Sequence, residues 1–488
     1  METKERKLYA LAATDDAAKE KLYIQRQGNI LDFFTYFNGF SLGKWVKYTT
    51  IQTVTLKLRL KGTWDINWQT GDDTGVHFLL EDHCTGDYCR SIDVNKINEE
   101  IIGFTLTPVS ADAAYLGGEW YGTFDNWQEK TIGISITTFR REEYVTRNMS
   151  LLKAYQKNNP WLYVLVVDNG NTLPEERTEK FSLIHNPNYG GSGGFTRGML
   201  EYVSTGNTDY VLLMDDDIVL DTTVLERTHS VLCGLKDVYR KSTLSGAMLN
   251  LENPIQQYEN TAHWGKIRLY GFGKGFDLTN KEKLIENEQF LQERNRYGAW
   301  WYCCIPVNRI KEIGYPLPVF VKGDDMEYGI RNAKEPIHMN GIGVWHQSFA
   351  SKISPVVNYY SDRNMLIINN YAEGCGFFTF WMAVCGRFVK RLLEGNLIGL
   401  YCLKLALKDY DSGLTGITSL PADKKMQEIN GLIDHFNHSA NRRILLSLPV
   451  QILRVILHYN QSHKDYLTFR QEQLSNAYFW KHFLHLEG

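Results

Sequence analysis

Four short apolar runs separated by segments of helical period constrain this chain more than any other feature. "TIGISITTF" (131–139), "WLYVLVVDNG" (161–170), "KFSLIHN" (180–186) and "DYVLLMDDD" (209–217) are nearly continuous in apolar residues. Between them stand segments such as "REEYVTRNMSLLKAYQKN" and "GGFTRGMLEYVSTG", whose apolar residues recur at helical spacing. Strands apolar on both faces, alternating with helices, predict a parallel sheet covered on both sides, a Rossmann-like α/β domain. In open sheets of this kind ligands bind outside the carboxyl ends of the strands, so chemistry is expected there.

The flanking regions follow other patterns. Within residues 1–128, "TVTLKLRLKGTWDINW" (53–68) alternates through Val54, Leu56, Leu58 and Leu60, which predicts a strand with one buried face. Further short runs between Gly and Asp turns suit an all-β sandwich or jelly roll. Its tryptophans (Trp45, Trp64, Trp68, Trp120, Trp127) read either as core or as a face on which sugar rings stack. From 371 to 488 the chain turns aromatic and helical. The uncharged stretch Gly374 to Gly386 is shorter than the ~20 residues a spanning helix needs. With Arg387, Lys390 and Arg391 following, it suits a helix in a membrane interface or against a partner subunit in a homo-oligomer; an ordinary core helix is the competing reading. Three domains are expected, 1–128, 129–370 and 371–488, each with its own core.

The charge balance excludes one class of partner. With 53 basic and 56 acidic residues and a net charge of -3, spread along the chain, no track for nucleic acid is present. The N-terminus lacks the apolar core of a secretory signal, which predicts a cytoplasmic location. The 8 cysteines fit that compartment as reduced side chains; "CTGDYC" (84–89) lacks the second half of a zinc site.

The strand ends gather the candidate chemistry. "VVDNGN" presents Asp168, a group able to accept hydrogen bonds from a base or ribose. "HNPNYGGSGGFTRG" carries Gly190, Gly191, Gly193 and Gly194 into a helix, where main-chain N–H groups can approach an anion. Thr196 breaks the dinucleotide fingerprint and no nucleotide-hydrolase loop occurs, so NAD and ATPase readings lose support. "MDDD" ends the next run. Strand alternation would point Asp215 and Asp217 one way and Asp216 the other. Two converging carboxylates normally require a cation or a proton, and a divalent metal there would bridge the phosphates of a nucleotide diphosphate. A solvated turn capping the helix that opens at Asp221-Thr222-Thr223 is the plainer explanation. His346 in "GVWHQ" could add an imidazole, which favours Mn2+ over Mg2+; a packed structural histidine competes with that reading. Asp324 and Asp325 sit at a helix start, where the dipole alone could account for them, yet a second carboxylate pair is also suited to take a proton from a hydroxyl. Trp300 and Trp301 are an acceptor platform or core aromatics.

Taken in order, "TTFRR", "VVDNG", "NPNYGGSGGFTRG", "MDDD", "AWWYCCIP", "GDDMEYGIR" and "GVWHQ" resemble the inverting glycosyltransferases of family 2, which have the GT-A fold. Within that family the chain most resembles bacterial galactofuranosyltransferases of the mycobacterial galactan polymerase type, with motif matches confined to about 131–365. The resemblance implies an N-terminal β-sandwich, a GT-A domain and a helical C-terminal region. It implies Asp215, Asp217 and His346 as ligands of Mn2+ (or Mg2+), with Asp216 touching the donor. Arg140, Asp168 and Asn188 would serve the uridine and phosphate end together with the Gly191 loop. Asp325 would be the general base, with Asp324 beside it, and Trp300 and Trp301 would shape the acceptor site. The implied reaction moves galactofuranose from UDP-galactofuranose to a lipid-linked glycan at the inner face of a membrane. A family 2 enzyme for another donor (dTDP-rhamnose, UDP-glucose), a nucleotidyltransferase and a non-catalytic carbohydrate-binding protein are the rival readings.

Overall fold

The four apolar runs become four parallel strands. Ile132–Thr138 lies between Leu162–Asp168 and Tyr210–Asp215, and Phe181–His185 pairs with Leu162–Asp168. Tyr302–Pro306 runs antiparallel beside Tyr210–Asp215, followed by Leu244–Ser245, and Glu176–Arg177 closes the other edge to give a 7-stranded sheet. The computed structural model describes residues 4–348, 354–413, 417–418, 422–438 and 442–486.

Both faces of this sheet are dry, and each serves a different neighbour. Ile132, Ile134, Ile136, Leu212 and Met214 join a core that reaches back to Leu8 and Trp120. Val211, Leu213, Cys303 and Ile305 point the other way, into a core shared with Phe380, Leu403 and Trp480 of the later helices. Each fully buried aliphatic side chain of this kind contributes roughly 1.5–3 kcal/mol. The period of two therefore explains why the runs read as continuously apolar.

Residues 6–124 form two antiparallel sheets, one of 4 and one of 5 strands. Val54, Leu56, Leu58 and Leu60 are buried, as their alternation predicts. Trp68 of one sheet meets Trp120 of the other edge-on at 6.0 Å. Trp45, Trp64, Trp68 and Trp120 are all buried, which removes them from any sugar-stacking face; the half-buried Trp127 bonds Glu129. Nor do these sheets keep a core to themselves. One continuous cluster runs from Leu8 through the central sheet to Ala372. The buried Arg227 fastens the two parts, donating to the carbonyls of Phe37 and Gly341 and stacking on Tyr9. No two cysteines among the described residues are bridged.

The helices after Pro355 lie against the second face of the sheet. Phe377–Leu393 is half inside: Phe380, Ala383 and Val384 are buried, whereas Phe378 and Leu393 are 64% and 82% exposed. The core-helix reading thus holds for one side of the helix, and the other side is exposed. Among the described residues no helix is long and apolar enough to cross a membrane.

Candidate active site

The aspartate triplet sits where the strand Tyr210–Asp215 gives way to a turn. The helix Thr223–Gly234 starts beyond the triplet, and the turn into it is bonded by Asp221, whose Oδ1 accepts the Thr223 amide at 2.9 Å, so the triplet does not cap it. A second, small sheet delivers the histidine. Ala247–Asn250 pairs in parallel with Gly343–His346, placing Asn250 opposite His346. Reciprocal backbone bonds between Val219 and Trp345 (2.8 and 3.1 Å) then fix that strand beside the turn.

The result is a tight three-residue cluster. His346 Nε2 lies 2.9 Å from Asp217 Oδ1 and 3.7 Å from Asp215 Oδ2. Single ligand atoms from Asp215, Asp217 and His346 all fall within 4.8 Å of one another. His346 Nδ1, 2.6 Å from the Gln347 carbonyl, donates to it, and Nε2 donates to the Asp217 carboxylate; a cation at this site would take the place of the Nε2 proton. Burial opposes charge on this imidazole, but the Asp217 hydrogen bond and the two carboxylates outweigh it and raise its pKa. Two carboxylate oxygens and one imidazole nitrogen form a donor set that fits Mn2+ or Mg2+.

Arg141 completes the cluster. Its guanidinium contacts Asp217 and lies 3.3 Å from Asp216 Oδ1. Asp216 also accepts Thr138 Oγ1 at 2.7 Å and is only 7% exposed; burial lifts its carboxyl to about 6 despite those bonds. The alternation argument fails in detail because the chain turns after Asp215. Asp216 shares the Arg141 Nη1 with Asp217 and takes Thr138 besides, so its carboxylate oxygens are engaged with the protein.

A cleft of about 560 Å³ opens beside Asp215. Gly191, Trp300, Trp301, Asp324 and Asp325 all line it. Asp324 and Asp325 begin the helix Asp324–Asn332 after a left-handed Gly323, and Asp325 Oδ1 accepts the Met326 amide at 2.7 Å. Burial raises both carboxyls; the charges of Asp325 and Asp215 add to the rise at Asp324, and that of Asp215 to the rise at Asp325, where the Met326 amide and Lys322 oppose it. Both tryptophans are 5% exposed. Trp301 donates to Gly246 O at 2.8 Å and Trp300 packs edge-on to Phe195, so they are core rings that show only their margins to the cleft.

Three sequence expectations need correction. Asp168 is fully buried and accepts the amides of Gly170, Thr172 and Leu173 at 2.7–2.9 Å, so it shapes the loop after its strand and is closed to a ligand. Arg140 is exposed, left-handed at φ 53°, and lies over Phe139; its neighbour Arg141 is the arginine at the triplet. The glycines do more packing than anion binding: a Cβ at Gly194 or Gly198 would stand 2.1 Å from Thr137 or 1.8 Å from Ser135. Gly191 remains at the cleft, and Asn188 Oδ1 accepts the Gly190 amide at 3.1 Å in the turn before it.

Sequence reasoning also missed Glu259. It lies in the cleft, 8% exposed, with its carboxyl lifted to about 7 by burial and by Asp325 against the pull of Lys274. No motif marks it, because it comes from the short strand Gln257–Glu259 of the small sheet.

Comparisons with known proteins find similarity to one group of enzymes. Residues 3–119 match the family described as Galactofuranosyltransferase 2 N-terminal. The galactofuranosyltransferase GlfT2 of Mycobacterium tuberculosis (strain ATCC 25618 / H37Rv) is 26% identical over 406 residues, covering 74% of this chain and 62% of its own. GlfT2 of Mycolicibacterium smegmatis (strain ATCC 700084 / mc(2)155) is 25% identical over 375 residues, covering 69% and 57%. The chain thus spans about three fifths of the length of these relatives. S. aureus TarS 1-349 in complex with UDP covers 70% of this chain and 92% of its own at 12% identity, with a TM-score of 0.35, a likeness too slight to carry an argument. The chain is thus similar to the GlfT2 galactofuranosyltransferases across most of its own sequence, and its first 119 residues to their N-terminal family.

Proposed function

We propose that this chain is a metal-dependent inverting glycosyltransferase that moves galactofuranose from UDP-galactofuranose to a hydroxyl of a growing glycan. The observation that carries the reading is the cluster of Asp215, Asp217 and His346, whose Asp215 lines the same cleft as Asp324 and Asp325. Residues 129–370 serve as the GT-A catalytic domain, 1–128 as its β-sandwich partner and 371–488 as a helical region.

A divalent cation bound by Asp215, Asp217 and His346 would neutralise the diphosphate of the donor as it leaves. Asp325 accepts the proton of the acceptor hydroxyl as that oxygen bonds to the anomeric carbon and the bond to UDP breaks. One displacement inverts the centre. Asp324 beside it keeps the shared charge low, and the margins of Trp300 and Trp301 bound the acceptor space. Arg141 holds the triplet in place.

The outer face of the C-terminal helices suits a lipid-linked acceptor. Phe378, Trp381 and Leu393 on one helix and Val450, Leu453 and Leu457 on another are exposed, with Lys390 and Arg454 beside them. Binding there would make the enzyme peripheral on the inner membrane surface.

The test is UDP release and product formation with UDP-galactofuranose, UDP-galactopyranose, UDP-glucose and dTDP-rhamnose, with and without Mn2+. Metal-dependent turnover of the furanose alone is the expected result. Turnover of another sugar would keep the mechanism and replace the donor. Glycan binding without turnover would leave a carbohydrate-binding protein.

A further inference from the structure

The loop ahead of the acid pair is held in a conformation its residues do not choose for themselves. Phe320, Lys322 and Gly323 have φ of 72°, 65° and 89°, and two of these carry a Cβ. Such backbone persists only where its surroundings determine it. Asp324 follows directly, so the path of the loop sets where both carboxylates stand.

Nearly every carbonyl of the loop is tied. From the glycine-rich side, Ser192 Oγ donates to Leu317 O at 2.6 Å and the Ser192 amide to Phe320 O at 3.3 Å. From the other side comes the helix Pro355–Ile368, where Asn364 is fully buried. Its amide nitrogen lies 2.8 Å from Val321 O, 2.7 Å from Lys322 O and 3.2 Å from Val319 O. An amide has two hydrogens, so two of these are full bonds and the third is shared. Arg363 fixes the amide in turn: its Nε donates to Asn364 Oδ1 at 2.9 Å and its Nη2 to Val319 O at 2.9 Å.

We propose that Asn364 is a positioning residue for the Asp324–Asp325 pair: its amide clamps the left-handed loop and thereby sets the acid pair against the cleft. This rests on the reading of Asp325 as the general base. Asn364 touches neither the cleft nor the metal cluster. Its loss should displace the base while leaving donor and metal sites intact.

Asn364→Leu removes the donor at similar volume, and Asn364→Ser keeps a small polar side chain that cannot reach the loop, as a second variant should the first fail to fold. In the folded variant, kcat for transfer should fall on the order of 10², the effect of a misplacement near 1 Å. KM for the donor and Mn2+ affinity should match the parent, and the acid limb of the pH profile should move. Unchanged kcat and limb in a folded variant would overturn the inference, as would equal losses in donor and Mn2+ binding, which mark a general structural role. Asp325→Asn is measured alongside. If it retains transfer, the base reading itself fails, a result distinct from an inactive Asp325→Asn beside a fully active Asn364 variant.

Discussion

Two acidic clusters face one cleft, and they handle their charge in opposite ways. Asp215, Asp216 and Asp217 have cations built around them: Arg141 bonds two of the three, and His346 is drawn toward its charged form by the others. Asp324 and Asp325 have a helix N-terminus and the Met326 amide, and their pKa values are pushed up by burial, with the charges of Asp325 and Asp215 adding at Asp324 and that of Asp215 at Asp325. Within that cluster Asp216 is lifted to about 6 by burial, while Asp215 and Asp217 with a neutral His346 present the donors for a cation, which would take the place of the imidazole proton. A pair whose compensation is incomplete is arranged to take up a proton. The same residue type, Asp, thus serves two chemistries through its surroundings.

The comparison can be broken first at the uncompensated pair. Asp325→Asn should lower kcat for transfer by roughly 10² to 10⁴, the usual worth of a general base, with donor binding retained in equilibrium titrations. His346→Ala should come next, weakening Mn2+ binding by about tenfold or more in an EPR titration, on the scale at which shells around metals act. Arg141→Met should have a smaller effect on kcat, because the guanidinium supports the triplet without entering the cleft.

The smallest change expected is a shift in pH dependence. Asp325 must be ionised to accept a proton, so activity falls as pH drops through its raised pKa, above the ordinary carboxylate range near ~4. Lys322 holds that pKa down, so Lys322→Met should move the acid limb of kcat/KM to higher pH. The linkage sign agrees. A carboxyl that binds its proton more tightly folded than unfolded costs stability as pH rises from the unfolded toward the folded pKa. Asp324→Asn should therefore raise Tm at neutral pH relative to the parent by more than it does under acid conditions.

The sequence made the central sheet legible because two-sided burial writes itself as continuous apolar runs, such as Val211 to Met214. It also pointed to Asp215, Asp217 and His346, since the strand-end rule and the ligand chemistry act on residue types. Spacing could not choose between Arg140 and Arg141, because which side chain reaches the triplet depends on a left-handed φ at Arg140. Asp168 looked like a ligand contact because a strand-end carboxylate gives no sign of which amides will bend back to it. Glu259 and Asn364 were invisible for a related reason: each comes from an element with no motif and gains its place through tertiary packing alone. The separate N-terminal core was expected from composition, whereas Arg227 and the shared cluster join it to the sheet.

The central claim is the division of labour between the two clusters, and Mn2+ binding measured by EPR together with transfer in Asp217→Asn and Asp325→Asn tests it most directly. The account predicts that Asp217→Asn loses both Mn2+ binding and transfer, while Asp325→Asn binds Mn2+ like the parent and loses transfer. Loss of Mn2+ binding in both variants, or transfer retained in Asp325→Asn, would contradict it.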